Sequence, residues 1–275
     1  MENQKKRARI IGDIVGVLLT IVIFLIPFYF MFVQSIKSKK EANRLSMDWP
    51  SELHFENYVE VFKKANLLTA FKNSALLTLF TVLGLIVTGA MAGYVIQRRK
   101  GKLMSTIQAV IMLGLMIPAS ILPTIHLLQS MHIYKTMFSM VMIEIALQTP
   151  FTIMLYRGFM SSIPVDLEEA ASIDGCNRWQ IFQKVIFPLL KPIQATIIIL
   201  VGVQTFNDFT NPLYFLPGAA NTTVQLTLYN FRSQAGSSYN LLFADIIIIT
   251  IPMLILFLIF NKRIVAGMVA GAVKG

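Results

Sequence analysis

Few residues in this sequence can do chemistry, and most of them lie where a polar group is costly. Glu144 stands in the apolar run Met137–Tyr156, with Gln148 one helical turn further on. Asp208 stands in Gln204-Thr205-Phe206-Asn207-Asp208-Phe209-Thr210-Asn211, a polar cluster inside the run Pro192–Phe215. A carboxylate at the centre of a bilayer costs roughly 2.5–3.5 kcal/mol on insertion scales, so such groups face a partner or a cavity. Helical spacing puts Gln204, Asn207, Asp208 and Asn211 near one face. Two readings stay open for Asp208: it lines a polar path, or it lies near an interface and caps or pairs structurally. Glu144 and Gln148 carry the same two readings. Asp245, near the start of Leu241–Phe260, reads as interfacial, and His126 as an interhelical hydrogen bonder. Catalytic apparatus is missing from the pattern. A P-loop needs Gly-x-x-x-x-Gly-Lys-Ser/Thr, but the Gly-Lys pair Gly101-Lys102 is followed by Leu103. His54, His126 and His132 form no His-x-x-x-His, and the single cysteine, Cys176, forms no Cys-x-x-Cys. The chain reads as a non-enzyme, with no cofactor or metal of its own.

The elements that carry these residues are set by hydropathy. Of 275 residues, 55% are hydrophobic and 14% charged, with 24 Lys and Arg against 14 Asp and Glu. Soluble domains carry about a quarter charged residues. This composition excludes intrinsic disorder, which needs low hydrophobicity and high charge, and one cysteine excludes a disulfide scaffold. A spanning helix needs about 20 mostly apolar residues at roughly 1.5 Å each. Ile14–Val33, Ser74–Ile96, Leu103–Leu128, Met137–Tyr156, Pro192–Phe215 and Leu241–Phe260 all qualify. The predicted fold is all-α: a polytopic membrane protein with six transmembrane helices. The first run reads as a retained anchor, because it is longer than a signal-peptide core and no small-residue cleavage site follows it.

Orientation follows from Lys and Arg near the span ends. Lys5, Lys6, Arg7 and Arg9 precede the first run; Arg98, Arg99, Lys100 and Lys102 follow the second; Lys262, Arg263 and Lys274 lie in the tail. These segments share one side, which places both termini in the cytoplasm. The loop Gln34–Asn73 pulls the other way with Lys37, Lys39, Lys40, Arg44, Lys63, Lys64 and Lys72, but its charge is diluted over a longer stretch. The two short, dense clusters decide the reading. The positive charge is therefore membrane-flanking, and nucleic acid is not an expected partner. Residues 1–13 are read as a cytoplasmic N-terminus, 14–261 as the membrane domain and 262–275 as a cytoplasmic tail. Within the first loop, Val59, Phe62 and Leu67 are expected on one face of a short interfacial helix. Leu216–Asn240 reads as an exposed loop with turns. Gly12-x-x-x-Gly16 and Gly89-x-x-x-Gly93 allow close helix packing. Pro27, Pro118 and Pro123 are expected to bend their helices.

One cytoplasmic segment, 157–191, is too polar to span and too patterned to be a linker. Asp166 precedes Glu169 at capping-box spacing, which puts Glu168 and Glu169 in a first turn where the helix dipole favours acids. Leu167, Ala170, Ala171 and Asp174 fall at i, i+3, i+4 and i+7, and Gly175 is suited to a left-handed cap. Asn177 and Gln180 repeat the capping spacing before a second helix with the apolar stripe Trp179, Phe182 and Ile186. Pro188 and Pro192 close that helix and begin the fifth run. The pattern is helix, glycine turn, helix, with a small-residue face that lets another surface approach.

Glu169-Ala170-Ala171, Asp174-Gly175 and Ile186-Phe187-Pro188-Leu189 together resemble the EAA loop of ABC importer permeases, although the last stretch departs from that motif's Ile-x-Leu-Pro ending. The likeness extends over nearly the whole chain. Ser35-Ile36-Lys37, Trp49-Pro50, Phe55-x-Asn57-Tyr58 and Phe71-x-Asn73-Ser74 resemble the first loop of carbohydrate-uptake permeases. Ala270-Gly271-Ala272-Val273-Lys274-Gly275 is similar to the tail of the second, MalG-like permease subunit of binding-protein-dependent importers.

The resemblance implies a type I importer permease in a bacterial cell membrane, paired with a second permease subunit. Two copies of a cytoplasmic ATPase subunit would bind ATP and Mg beneath them, and an extracytoplasmic binding protein would deliver sugars, di- or oligosaccharides among them. By position, Glu168, Glu169, Ala170, Ala171, Asp174 and Gly175 would couple to the ATPase, with Lys274 and Gly275 reaching between its copies. Amides and carboxylates bind sugar hydroxyls, which makes Glu144, Gln148, Gln204, Asn207, Asp208 and Asn211 the substrate-path candidates. A self-sufficient secondary transporter or channel is the competing class, with Glu144 and Asp208 as its central acids. An importer permease for another solute, such as glycerol phosphate, is a further alternative.

Overall fold

The computed structural model describes residues 12–231 and 238–272, and every regular element among them is helical. Helix α1 covers Gly12–Ser35, with a π-helical stretch at Ile21–Leu25. It is followed by α2 (Lys39–Ala42), α3 (Glu56–Lys64), α4 (Leu67–Arg98), α5 (Lys102–Leu113), α6 (Ile121–Ser130) and α7 (Met137–Met160). Then come α8 (Asp166–Ile173), α9 (Arg178–Leu189), α10 (Lys191–Phe206), α11 (Thr210–Phe215), α12 (Val224–Asn230) and α13 (Tyr239–Ala272).

Among the described residues, three helices are long and apolar enough to cross a membrane: α1, α4 and α7. A fourth crossing arises if α9 and α10, which meet at a 70° bend, count as one. The expected span Leu103–Leu128 is interrupted. It folds as α5 and α6 around a non-helical stretch at 114–120. Pro118 lacks an N–H and pushes Ile117 out of the helical region, so the ladder cannot run through. The expected span Pro192–Phe215 is likewise broken, between α10 and α11 at Asn207–Phe209. Pro150 and Pro252, by contrast, sit inside continuous helices.

The chain forms two compact units. One comprises residues up to 68 together with 227–252. Here α1 is exposed along its apolar length, and its C-terminal end is held by polar contacts. Asn57 donates to the carbonyls of Ser35 (2.9 Å) and Lys37 (3.0 Å), and Asn240 donates to Asn57 Oδ1 (2.9 Å). Buried Lys37 donates to the Ser46 carbonyl at 2.8 Å. Ser38 and Glu41 form a capping box at α2. Hydroxyls of Ser51 and Ser38 hold the Glu41 carboxyl well below its usual range, at about 2. Helix α3 does not include Leu67, which is expected from the sequence on the same face as Val59 and Phe62. It buries Asn57 and Val61, leaves Val59 and Phe62 exposed, and Leu67 belongs to α4, fully buried. Asp245, near the start of α13, does not face outward from the protein. It is fully buried and accepts from Thr227 Oγ1 at 2.8 Å. Gly12 and Gly16 have open space around them within this chain.

The other unit comprises 69–226 and the rest of α13. Its larger core gathers Leu85 and Ala90 of α4, Tyr156 and Met160 of α7, Ile186 of α9, and Ile197 and Val201 of α10. Small residues set the approach of α4 to α7. A Cβ on Gly89 would lie 2.6 Å from Thr152 Cγ2, and one on Gly93 2.8 Å from Tyr156 Cβ. A second cluster joins Leu77, Leu128, Met140, Ile143, Phe215 and Leu216. The segment after Leu216 is more ordered than an exposed loop. Asn73 Nδ2 donates to the carbonyls of Ala220 and Thr222, each at 3.0 Å, and Ser74 Oγ accepts from the Val224 backbone at 3.0 Å. His126 is exposed rather than bonded between helices.

Candidate functional site: a polar cavity and a cytoplasmic helix pair

A cavity of about 500 Å3 opens beside α7 where α10 ends. Glu144, Leu147 and Gln148 reach it from α7, one turn apart. Val203 and Gln204 reach it from α10, Asn207 and Asp208 from the break, and Asn211 from α11. All six polar residues singled out in the sequence therefore line one space. The break in the helix makes this possible: once α10 stops, the Asn207–Asn211 stretch need not follow helical spacing. Asp208 Oδ1 accepts from the backbone N–H of Thr210 (2.9 Å) and Asn211 (3.3 Å), satisfying orphan donors at the start of α11. Asp208 therefore both ties the first turn of α11 and lines the cavity. Glu144, only 2% exposed, accepts from Asn211 Nδ2 at 3.0 Å and stands against the Asp208 carboxylate. Gln225 Nε2 donates to Asn207 Oδ1 at 3.0 Å. The result is a set of fixed amides and carboxylates with two apolar neighbours, suited to bonding hydroxyl groups and lacking any nucleophile–base pair.

At the other candidate site, α8 begins one residue earlier than the capping pattern predicts. Its N-cap is Val165, so Asp166 lies in the first turn with Glu168 and Glu169 and makes no capping box. The C-terminal cap follows the expectation. Gly175 adopts φ +84°, its N–H donates to the Ser172 carbonyl (3.1 Å), and that of Cys176 to the Ala171 carbonyl (3.0 Å). These two bonds are a Schellman closure. Asn177 and Gln180 then form a reciprocal capping box that starts α9. Ala171 is buried, whereas Glu169, Ala170, Asp174 and Gly175 are exposed. Ile173, 87% exposed, projects an apolar side chain beside them. Glu168 points elsewhere. Its carboxylate accepts from Arg98 Nε at 2.6 Å and Tyr94 OH at 2.8 Å. Lys274 and Gly275 lie outside the described residues.

Residues 69–269 match the family model of the binding-protein-dependent transport system inner membrane component. This chain belongs to that family. It is 34% identical over 255 residues to the melibiose/raffinose/stachyose import permease protein MelC of Bacillus subtilis, covering 91% of each chain. It is 29% identical to the probable starch degradation products transport system permease protein AmyC of Thermoanaerobacterium thermosulfurigenes, covering 94% of each. Its fold is similar to that in a crystal structure of a bacterial ABC transporter involved in the import of alginate. There the TM-score is 0.78 at 23% identity, over 92% of this chain and 96% of that one. The permease is thus an all-helical, multi-pass membrane transport component and not an enzyme.

For this permease, sequence reasoning missed Arg98 and Tyr94 as partners of Glu168, and Leu147 and Val203 as apolar walls of the cavity. Arg98 was legible only as a membrane-flanking charge. Nothing local in the sequence pairs it with a residue 70 positions away.

Proposed function

We propose that the chain is a MalG-like permease subunit of an ATP-driven importer for di- or oligosaccharides. It crosses the bacterial inner membrane six times with both termini in the cytoplasm. The interrupted runs 103–128 and 192–215 each count as one crossing, in two helical pieces. The cavity around Glu144, Gln148, Gln204, Asn207, Asp208 and Asn211 is this chain's share of the solute path. Its amides and carboxylates bond sugar hydroxyls as they leave water. The exposed face of α8, with Glu169, Ala170, Ala171 at its edge, Asp174 and the Gly175 turn, sits in a cleft of an ATPase subunit. Two copies of that ATPase hold ATP and Mg, and Lys274 and Gly275 reach between them. A second permease completes the path, and an extracytoplasmic binding protein supplies the sugar. The observation that carries the reading is a family match over 69–269 combined with a cavity rich in amides and carboxylates. The sugar assignment leans on relatives named for melibiose, raffinose and stachyose, starch degradation products and trehalose.

Transport by rocking between two states needs a ligand with unequal affinity for them. ATP binding in the partner supplies that difference. The test is purification of the tagged chain from its native membrane in mild detergent, identification of what accompanies it, and uptake by the reconstituted assembly. A second permease and an ATPase, with saccharide uptake only when ATP is inside, are expected. A lone chain that moves solute in ATP-free vesicles would overturn the reading in favour of a secondary transporter.

A further inference from the structure

Helix α4 is 32 residues long, roughly 48 Å at 1.5 Å per residue, and outruns a hydrocarbon core of about 30 Å. Its last two turns hold five polar and aromatic contacts to segments that follow much later in the chain. Arg98 Nε donates to Glu168 Oε1 at 2.6 Å, and its Nη2 donates to the Ile163 carbonyl at 3.0 Å. One guanidinium therefore clamps both the first turn of α8 and the strand of chain leading into it. Tyr94 OH donates to Glu168 Oε2 at 2.8 Å, so both carboxylate oxygens are engaged from α4. The Tyr94 ring also lies 5.3 Å from that of Phe182 in α9. Beside them, Gln97 Oε1 accepts from Arg157 Nε of α7 at 3.2 Å. The Arg98 and Glu168 side chains are 17% and 13% exposed, so water competes little for the pair.

Apart from this tie, helix α8 packs against the Ile181–Ile186 stretch of α9, where Ala171, its one buried residue, enters the core. It passes into α9 through the Gly175 turn, around which no atom would lie within 4 Å of a Cβ. A single small side chain fixes the distance of a helix from the core but not its direction. Two charge-assisted bonds to one carboxylate fix both.

We propose that Glu168 is a positioning residue that ties α8 to the end of α4 through Arg98 and Tyr94, so that α4 is the lever by which motion of α8 enters the membrane. This departs from the expectation that Glu168 meets the ATPase itself, and it rests on the reading of α8 as the ATPase-docking helix. Glu169, exposed on the same turn, is left for the partner.

The test uses the full chain in lipid nanodiscs and in the reconstituted importer. Spin labels at Ser172→Cys on α8 and Val95→Cys on α4, in a Cys176→Ser background, report the heading of α8 without any partner. Glu168→Gln, nearly isosteric, is expected to broaden the distance distribution. The exchange Arg98→Glu with Glu168→Arg is expected to narrow it again. In the importer, Glu168→Gln is expected to lower sugar moved per ATP hydrolysed at least tenfold while hydrolysis persists, and the exchange to recover most of the ratio. A brace serving only stability would reduce assembled complex and leave that ratio unchanged. An unchanged ratio together with an unbroadened distribution in Glu168→Gln would overturn the proposal. If the wild-type assembly moves no sugar with ATP, the transport reading fails, and the distance measurement alone still decides the tie.

Discussion

Asp208 shows how one side chain meets two demands in a membrane interior. A carboxylate there is costly unless its oxygens are occupied, and Oδ1 is occupied by two backbone N–H groups that would otherwise be orphaned at the start of α11. Asp208→Asn keeps an acceptor oxygen at that place and removes the charge, whereas Asp208→Ala removes both. Asn is therefore expected to melt close to wild type with altered sugar uptake. Ala is expected to lose about 1 kcal/mol, the usual value of such a cap, as well as uptake. Thermal unfolding in detergent beside uptake assays separates the two. Equal melting of both variants would remove the capping role. Glu144 lacks backbone donors and relies on Asn211, so its environment depends on where α11 is placed.

At the scale of elements, the turn between α8 and α9 is built from local rules and the broken helices are not. Gly175 meets no neighbour that a Cβ would strike, so its requirement is backbone conformation alone. An L-residue at positive φ costs roughly 1–2 kcal/mol, with Asn more tolerant than Ala. Gly175→Ala is expected to weaken the turn and lower uptake per ATP hydrolysed, and Gly175→Asn to do so less. Equal coupling in both variants and wild type would show that the left-handed turn is dispensable. The six predicted runs were found by hydropathy, which is indifferent to where a helix breaks. Pro118 and the stretch after Phe206 break two of them, and the second break opens the cavity. Pro150 leaves α7 continuous, so proline alone does not announce a break. Its effect depends on whether neighbouring packing holds the two halves in line.

For the whole molecule, the basic clusters and the polar segment 157–191 make a joint claim about sidedness. Cys176 is the single cysteine and lies one residue past the Gly175 turn, partly exposed. A membrane-impermeant maleimide is expected to label it in inside-out vesicles and not in right-side-out ones. A variant with Cys176→Ser and Ser51→Cys is expected to show the reverse, because Ser51 is exposed in the loop after α1. Labelling of both positions from one side would overturn the orientation. It would also show that the seven basic residues of 34–73 outweigh the short clusters.

What the sequence determined by itself is what local energies decide. Long apolar runs made the chain a helical membrane protein, since a spanning segment must satisfy its own backbone. Gly175, and Asn177 with Gln180, wrote their caps within a few residues of one another. The EAA-like loop lies within the stretch 69–269 that matches the family. Tertiary structure decided the rest. Asn211 meets Glu144 across 67 positions and Arg98 meets Glu168 across 70. Val59 and Phe62 face outward while Asn57 and Val61 face in. Helical spacing tells which residues share a face, but only packing tells which face is covered. A side chain's partner is set by the elements that crowd it, and no short window of sequence contains them.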